Sequence, residues 1–336
     1  MKRQLLCLFA GFFILILCSG PSTSLAAPYY EGKVITFIVG YPPGGGYDRM
    51  ARVLAKSLPK HIPGKPTIIV QNIPGGSSVI AANQLYNTAK PDGLTIAILN
   101  RALVFAQLLK VKGIKFDLTK FQWIGSPSTE STVLVIRSDL PYKTIHDLLK
   151  TKKEIFLAGS TPASINTQFA MILKEFLGLN IKHVEYRGTA EIWLGMERKE
   201  VDGLGDAYNS VRIHIERGLC RPLLRTRISQ PGIENLPVNE DLTTNPTGKK
   251  IMAMHAIVGG AGRFCVAPPG TSANVMGILR GAFAKVINED QELKEEAKKL
   301  LMDFEYVPAE KCLEIIHYIL GQPDDMVKEF SKFVQF

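Results

Sequence analysis

A strand-like run, Ile35-Thr36-Phe37-Ile38-Val39-Gly40, passes directly into Tyr41-Pro42-Pro43-Gly44-Gly45-Gly46-Tyr47-Asp48 and then into a segment of helical apolar period. The same grammar repeats where Thr67-Ile68-Ile69-Val70 leads through Gln71-Asn72-Ile73-Pro74-Gly75-Gly76-Ser77-Ser78 to Val79-Ile80-Ala81-Ala82-Asn83-Gln84-Leu85. Strand and helix in alternation are the pattern of an α/β chain with a mainly parallel sheet. Two glycine loops at the C-terminal ends of neighbouring parallel strands aim backbone N–H groups and helix N-termini at one place, which suits an anion. A single such loop is explained by positive φ and tight packing; two of matching grammar favour a ligand. Neither loop ends in Gly-Lys-Ser/Thr and no GxGxxG opens a helix, so nucleotide and dinucleotide readings fail.

Before this core, Met1-Lys2-Arg3 is a short basic stretch, Leu5 to Cys18 is almost wholly apolar, and Ser24-Leu25-Ala26 places small residues where a signal peptidase reads. Cleavage is expected after Ala26, which makes 1–26 a signal peptide and the mature chain a secreted one. The apolar run is about fourteen residues, short of the roughly 20 that span a bilayer. Lipid attachment at Cys18 is disfavoured because Leu17 precedes it where a small residue is expected.

The mature chain of about 310 residues suits two domains, and two domains permit a cleft. Cys220, Cys265 and Cys312 remain after cleavage, an odd number without CxxC spacing, so no essential disulfide is expected. The histidines at 61, 146, 183, 214, 255 and 317 are scattered without ligand spacing, so neither a metal nor a cofactor is expected. Removing Lys2 and Arg3 from the formal charge of +9 leaves about +7. The basic residues form no stripe interleaved with aromatics, which argues against nucleic acid. Small carboxylates would be drawn weakly by such a surface.

Lys90-Pro91-Asp92-Gly93 is a turn, followed by a strand over Leu94–Leu99 that ends at Asn100-Arg101. Phe121–Gly125 and Thr132–Arg137 are further strands, with the first domain crossing between them, and Pro141–Leu149 is a turn and helix. Ile155–Gly159 is a strand entering Ser160-Thr161-Pro162-Ala163-Ser164, good helix-start residues for Gln168 to Leu177. Lys182–Tyr186 is a strand ending at Arg187-Gly188-Thr189, and a helix over Ala190 to Arg198 precedes Val201–Asp206. Gln230 to Gly248, rich in Pro, Asn, Gly and Thr, reads as a long surface loop, and Ile257–Gly262 as a flexible approach to a strand at Arg263–Ala267. Helices are expected over Val275–Val286, Asp290–Leu301 and Ala309–Leu320. The expected domains are 27–128 plus 264–336, and 129–263.

The succession of the first glycine loop, Asn72-Ile73-Pro74-Gly75-Gly76, Lys90-Pro91-Asp92-Gly93-Leu94-Thr95, Leu140-Pro141-Tyr142-Lys143-Thr144, Tyr186-Arg187-Gly188-Thr189 and Val266-Ala267-Pro268-Pro269-Gly270-Thr271 resembles the Bug, or TctC-type, periplasmic solute-binding proteins of tripartite tricarboxylate transporters. The resemblance spans nearly the whole mature chain. It implies a two-lobed type II periplasmic-binding-protein fold, the Venus flytrap, with two mainly parallel mixed sheets flanked by helices. It further implies a protein, expected to be a monomer, that closes on an organic carboxylate and delivers it to membrane permease subunits.

Carried onto this chain, the resemblance assigns the carboxylate to backbone amides of Gly44, Gly45, Gly46 and Tyr47, with Tyr41 beside them, and to Gly75, Gly76 and Ser77 of the second loop. Asp48 organises the first loop as a cap for a helix beginning at Arg49. From the second domain come Ser160, Thr161 and Ser164, the turn Arg187, Gly188 and Thr189, and Asp206 as an acceptor for a ligand hydroxyl or amide. Arg187 stands where the family usually has Lys, and it either grips a carboxylate bidentately or pairs with a neighbouring acid at the surface. Ser77 and Ser78 replace residues that are more often glycine in the family, and 230–248 and 251–260 look expanded relative to it.

A periplasmic enzyme is the competing class, but no GxSxG elbow or serine-histidine motif is present. A third reading keeps the fold and cleft and makes the chain a ligand-sensing partner of a membrane sensor kinase.

Overall fold

The computed structural model describes residues 27–334, so the signal peptide expected at 1–26, and Cys18 with it, lies outside the described residues. The chain runs β1 (Val34–Val39), α1 (Gly46–Ser57), β2 (Thr67–Asn72), α2 (Val79–Asn87), β3 (Thr95–Ile98), α3 (Leu103–Leu108) and β4 (Gln122–Ser126). It continues as β5 (Thr132–Arg137), α4 (Ile145–Lys150), β6 (Ile155–Gly159), α5 (Ile165–Leu177), β7 (Ile181–Glu185), α6 (Thr189–Glu197), β8 (Gly203–Ala207), α7 (Tyr208–Glu216), β9 (Cys220–Arg225) and α8 (Pro246–Ile257). The last elements are β10 (Cys265–Ala267), α9 (Ala273–Glu289), α10 (Gln291–Lys299), β11 (Val307–Pro308), α11 (Ala309–Leu320) and α12 (Asp324–Phe330).

Two sheets form, ordered β11-β4-β10-β3-β1-β2 and β7-β6-β8-β5-β9. In the first, β1 pairs in parallel with β2 and β3, while β10 lies antiparallel to both β3 and β4. In the second, β6 pairs in parallel with β7 and β8, and β5 runs against β8 and β9. The chain leaves the first sheet after Ser126 and returns to it at Cys265. The antiparallel strands β5 and β10 are therefore the first strand made after each crossing.

The buried strands are continuous apolar runs, as expected where helices cover both faces. One core cluster holds Phe37, Val39, Met50, Leu54, Ile98 and Phe283; others under the second sheet hold Leu134, Leu157, Phe169 and Leu224, and Val135, Ile192, Leu204 and Val211. A further cluster joins Phe105, Trp123 and Phe330 to Ile165 and Ile172 of α5 and to Ile251 and Met252 of α8. Local chemistry sets the ends: Thr144 and Asp147 form a capping box on α4, and Ser164, Asn245 and Ser272 accept from the first turns of α5, α8 and α9.

Three expectations are corrected. The segment expected to be loop up to Gly248 is already helical from Pro246, and the supposed flexible approach is the end of α8 followed by a 3-10 turn, Val258–Ala261, whose residues are largely buried. Asn245 supplies the N-cap and Pro246 the first helical position, a start signal that the Pro and Gly content had masked. Helix α5 begins at Ile165, three residues before its expected start, because Ser164 is its cap.

Candidate functional site

The first loop is held in shape from below. Asp48 is inside the first turns of α1 rather than before it: Oδ2 accepts from the Gly44 backbone N–H and from Arg52 Nε at 2.9 Å each, and Oδ1 accepts from Asn72 Nδ2 at 2.9 Å. Burial alone would raise the pKa of this carboxyl, but the hydrogen bonds from Arg52, Gly44 and Asn72 outweigh it and the pKa falls. Asn72 also donates to the Tyr41 carbonyl at 2.9 Å. The helix starts at Gly46 with Gly45 as its cap, so the expected start at Arg49 is three residues late.

The second loop is bound to the first and to the end of β3. Ser78 Oγ donates to the Gly40 carbonyl at 3.2 Å and accepts from the Asn100 backbone N–H at 3.3 Å, while Asn100 Nδ2 donates to the Ser77 carbonyl at 3.1 Å. Gly75, Gly76, Ser77 and Ser78 all have positive φ, at 134°, 53°, 49° and 80°. For the two serines this left-handed backbone costs about 1–2 kcal/mol each.

A cavity of about 220 Å³ lies between the two sheets. From the first sheet it is lined by Tyr41, Gly45, Gly46 and Tyr47 of the first loop, and by Asn100 and Arg101 after β3. From the second come Ser160 and Ser164 before α5, Arg187, Gly188 and Thr189 before and in α6, Asp206 on β8, and Ser210 in the first turn of α7. The starts of α1, α5, α6 and α7 thus face one small space, and their aligned dipoles present partial positive charge to it.

Not every expected residue lines this space. The Gly44 N–H is consumed by Asp48, and Gly44 faces a smaller adjoining cavity instead. Asp48, Gly75, Gly76, Ser77 and Thr161 also lie outside the lining. Ser77 and Thr161 meet each other, hydroxyl to hydroxyl at 2.5 Å, and so join the second loop to the segment ahead of α5. Gly188 packs against Pro42, where a Cβ would lie in ordinary contact, 3.4 Å from the ring.

Arg187 is exposed at the cavity wall, its side chain forms no ion pair among the described residues, and only its backbone N–H is engaged, by Glu191 at 3.3 Å. Asp206 accepts from the Ala207 N–H at 2.7 Å and the Thr189 hydroxyl at 3.5 Å, and burial raises its pKa. Tyr41 and Tyr47 stack at 4.8 Å, both hydroxyls made less acidic chiefly by burial.

Sequence reasoning missed the residues that set the charge of the floor. Arg101 is 2% exposed, donates to Thr132 Oγ1 at 3.2 Å, and presents its backbone N–H to the Tyr47 hydroxyl at 3.4 Å. Its signal was its place at the end of a parallel strand, where ligands of such sheets bind. Deeper, Arg263 and Glu130 pair at 2.9 Å with both side chains fully buried, and Arg263 reaches Ser210 Oγ at 2.8 Å and lies 5.0 Å from the Tyr47 ring. No sequence pattern pairs residues so far apart. Their positions, one in each crossing segment, explain the contact.

With this geometry in view, the relatives are informative. The family model described as tripartite tricarboxylate transporter family receptor, TctC, matches residues 50–323. The chain is 29% identical to a UPF0065 protein of Bordetella pertussis over 78% of each chain. Among solved structures, the periplasmic binding protein BugD superposes with a TM-score of 0.74 at 22% identity, covering 91% of this chain and 99% of that one. An R. palustris protein solved with adipate gives a TM-score of 0.71 at 20% identity, over 89% and 98%.

Proposed function

The chain belongs to the TctC family of tripartite tricarboxylate transporter receptors, and from that premise we propose that it captures a small organic carboxylate between its lobes and delivers it to a membrane permease. One observation carries the reading: the starts of four helices, with Arg101 and Arg187, face a single cavity between the sheets. The relative solved with adipate supports a carboxylate as the ligand class. The volume of about 220 Å³, below the roughly 300–1,000 Å³ of drug-sized sites, favours an acid of a few carbons.

In this reading residues 27–128 with 264–336 form one lobe and 129–263 the other. A carboxylate docks on the amides at the start of α1, near Gly45, Gly46 and Tyr47, with Arg101 beneath. The second lobe then supplies Ser160, the start of α6 and Arg187, and the Ser77–Thr161 contact is made on closure. Contacts available only in the closed state provide the differential affinity that drives it. Asp206, whose carboxyl pKa is raised by burial, lines the same cavity and is placed to accept from a ligand hydroxyl or amide. Function in the periplasm, after removal of residues 1–26, and as a monomer completes the proposal.

The test is a thermal-shift screen of the chain from Ala27 against mono-, di- and tricarboxylates, followed by calorimetry on the best responder. A concentration-dependent rise for one class of acids is expected. Silence from a folded sample across all classes overturns the carboxylate assignment.

A further inference from the structure

Beside the first glycine loop, a second cavity of about 160 Å³ is lined by Gly44–Gly46, Arg49, Thr189, Trp193, Ser210, Ile213, His214 and Arg217, and by no carboxylate. From the shape and chemistry of this space we infer a second binding site, for a small inorganic oxyanion of the phosphate or sulfate type, that bridges the two lobes.

The donors that line it come from both sides: Arg49 from α1, and the neutral imidazole of His214 with Arg217 from the end of α7. Their neighbours on the same helices are neutralised. Arg52 has Asp48 at 2.9 Å, and Arg212 has Asp303 at 3.0 Å. Arg49 and Arg217 have no ion pair among the described residues. Arg49 uses one Nη to donate to the Ser210 carbonyl at 3.1 Å, while its Nε is buried without a partner, as is Nδ1 of His214. Both are donors aimed from opposite lobes, once His214 carries its hydrogen on Nδ1.

The folded chain alone does not account for this charge. The carbonyl end of α7 favours a cation at Arg217, but Arg49 stands in the first turns of α1, where the helix dipole opposes it. Burial lowers the pKa of Arg49, with Arg263 and Arg217 adding to the effect and the Asp206 carboxylate opposing it in part. His214, stacked on Trp193 at 3.6 Å, is pushed down to about 4 by burial with Arg49 and Arg217 adding to the effect. A doubly charged oxyanion relieves the repulsion between Arg49 and Arg217, accepts from the neutral His214 ring and fits the volume, and it joins α1 to α7 in the closed arrangement. The site is separate from the carboxylate site, although Gly45, Gly46, Thr189 and Ser210 wall both.

The experiment is the melting temperature of the chain from Ala27 in rising potassium phosphate against potassium chloride of equal ionic strength, for wild type, Arg217→Ala, His214→Phe and Arg187→Ala. No organic acid is present, so its failure leaves the carboxylate reading standing. Wild type and Arg187→Ala are expected to show a saturable, phosphate-specific rise of about 2 °C or more. Arg217→Ala removes an exposed side chain, and His214→Phe keeps the stack on Trp193, so both fold. Each is expected to weaken the apparent phosphate affinity at least about tenfold. Absence of a phosphate-specific rise in wild type, or its persistence in both Arg217→Ala and His214→Phe, overturns the inference. Its loss in Arg187→Ala does so too, since phosphate then occupies the carboxylate cavity.

Discussion

Arg187 is exposed, engaged only through its backbone, and placed on the wall of the carboxylate cavity, so its side chain carries little folding energy. Arg187→Ala is expected to leave the melting temperature unchanged and to weaken carboxylate binding about ten- to a hundredfold by calorimetry, the range of a charge-assisted hydrogen bond. Gly46 behaves differently. A Cβ there lies 2.2 Å from Ser210 Oγ and 2.8 Å from a buried Arg263 nitrogen, so Gly46→Asp adds both a clash and an anion where the ligand's charge belongs. Binding is expected to vanish, and Gly46→Ala, which has the clash without the charge, should lose a large part of the same affinity. Equal affinities for wild type and these variants exclude the first loop as the docking point.

At the level of elements, the second glycine loop is unusual because its serines adopt backbone that glycine takes without cost. Ser77→Gly exchanges the left-handed penalty for a loss of chain entropy of similar size, so stability should change by less than about 1 kcal/mol. What it removes is the hydroxyl contact to Thr161. Carboxylate affinity should therefore fall about threefold to tenfold, Thr161→Val should show the same fall, and the double variant should be no worse than either, because one bond is lost once. Additive losses would mean that the two hydroxyls act separately. Most strands and helices of both halves were legible from period and turn chemistry, but β9, β11, α3, α7 and α12 were not drawn from the sequence. Helix α8 was not, because its first residues, Asn245-Pro246-Thr247-Gly248, have loop composition, and its stability comes from burying Ile251, Met252, Met254 and His255 between neighbours distant in sequence.

Across the whole molecule, a buried ion pair and a buried histidine tie stability to packing between distant segments. Arg263 and Glu130 are both fully buried, so Arg263→Ala strands a carboxylate and is expected to cost about 3–5 kcal/mol in urea unfolding, with partial recovery in Arg263→Met combined with Glu130→Gln. His255 lies between Phe105 and Phe169 at 6.0 and 6.1 Å, and burial, helped by Arg101, lowers its pKa from 6.5 to about 3. Its folded form is neutral, while the unfolded chain takes up the proton below pH 6.5, so stability is full above that value and declines as the pH falls toward 3. His255→Phe is expected to flatten that part of the acid limb of the melting curve. An unchanged pH profile would show that the histidine is charged in the folded chain.

The sequence by itself determined the α/β alternation, the two glycine loops, the helix-start residues around Ser164 and Thr189, and through its ordered motifs the family. These are local matters, decided by strand period, by glycine and proline at turns, and by hydroxyls at helix ends. It also placed Asp48 as an organiser of its loop, though not inside the helix where it acts. Only the tertiary structure decided which loop atoms remain free for a ligand, since the Gly44 N–H is used by Asp48 and the Ser77 hydroxyl by Thr161. It alone brought Arg101 to the cavity floor and Arg263 to Glu130 across 133 positions of chain, and it left Arg49, His214 and Arg217 facing one space without a carboxylate. Such placements follow from how two separately built sheets meet, and that meeting is encoded in packing between distant segments rather than in any local run of residues.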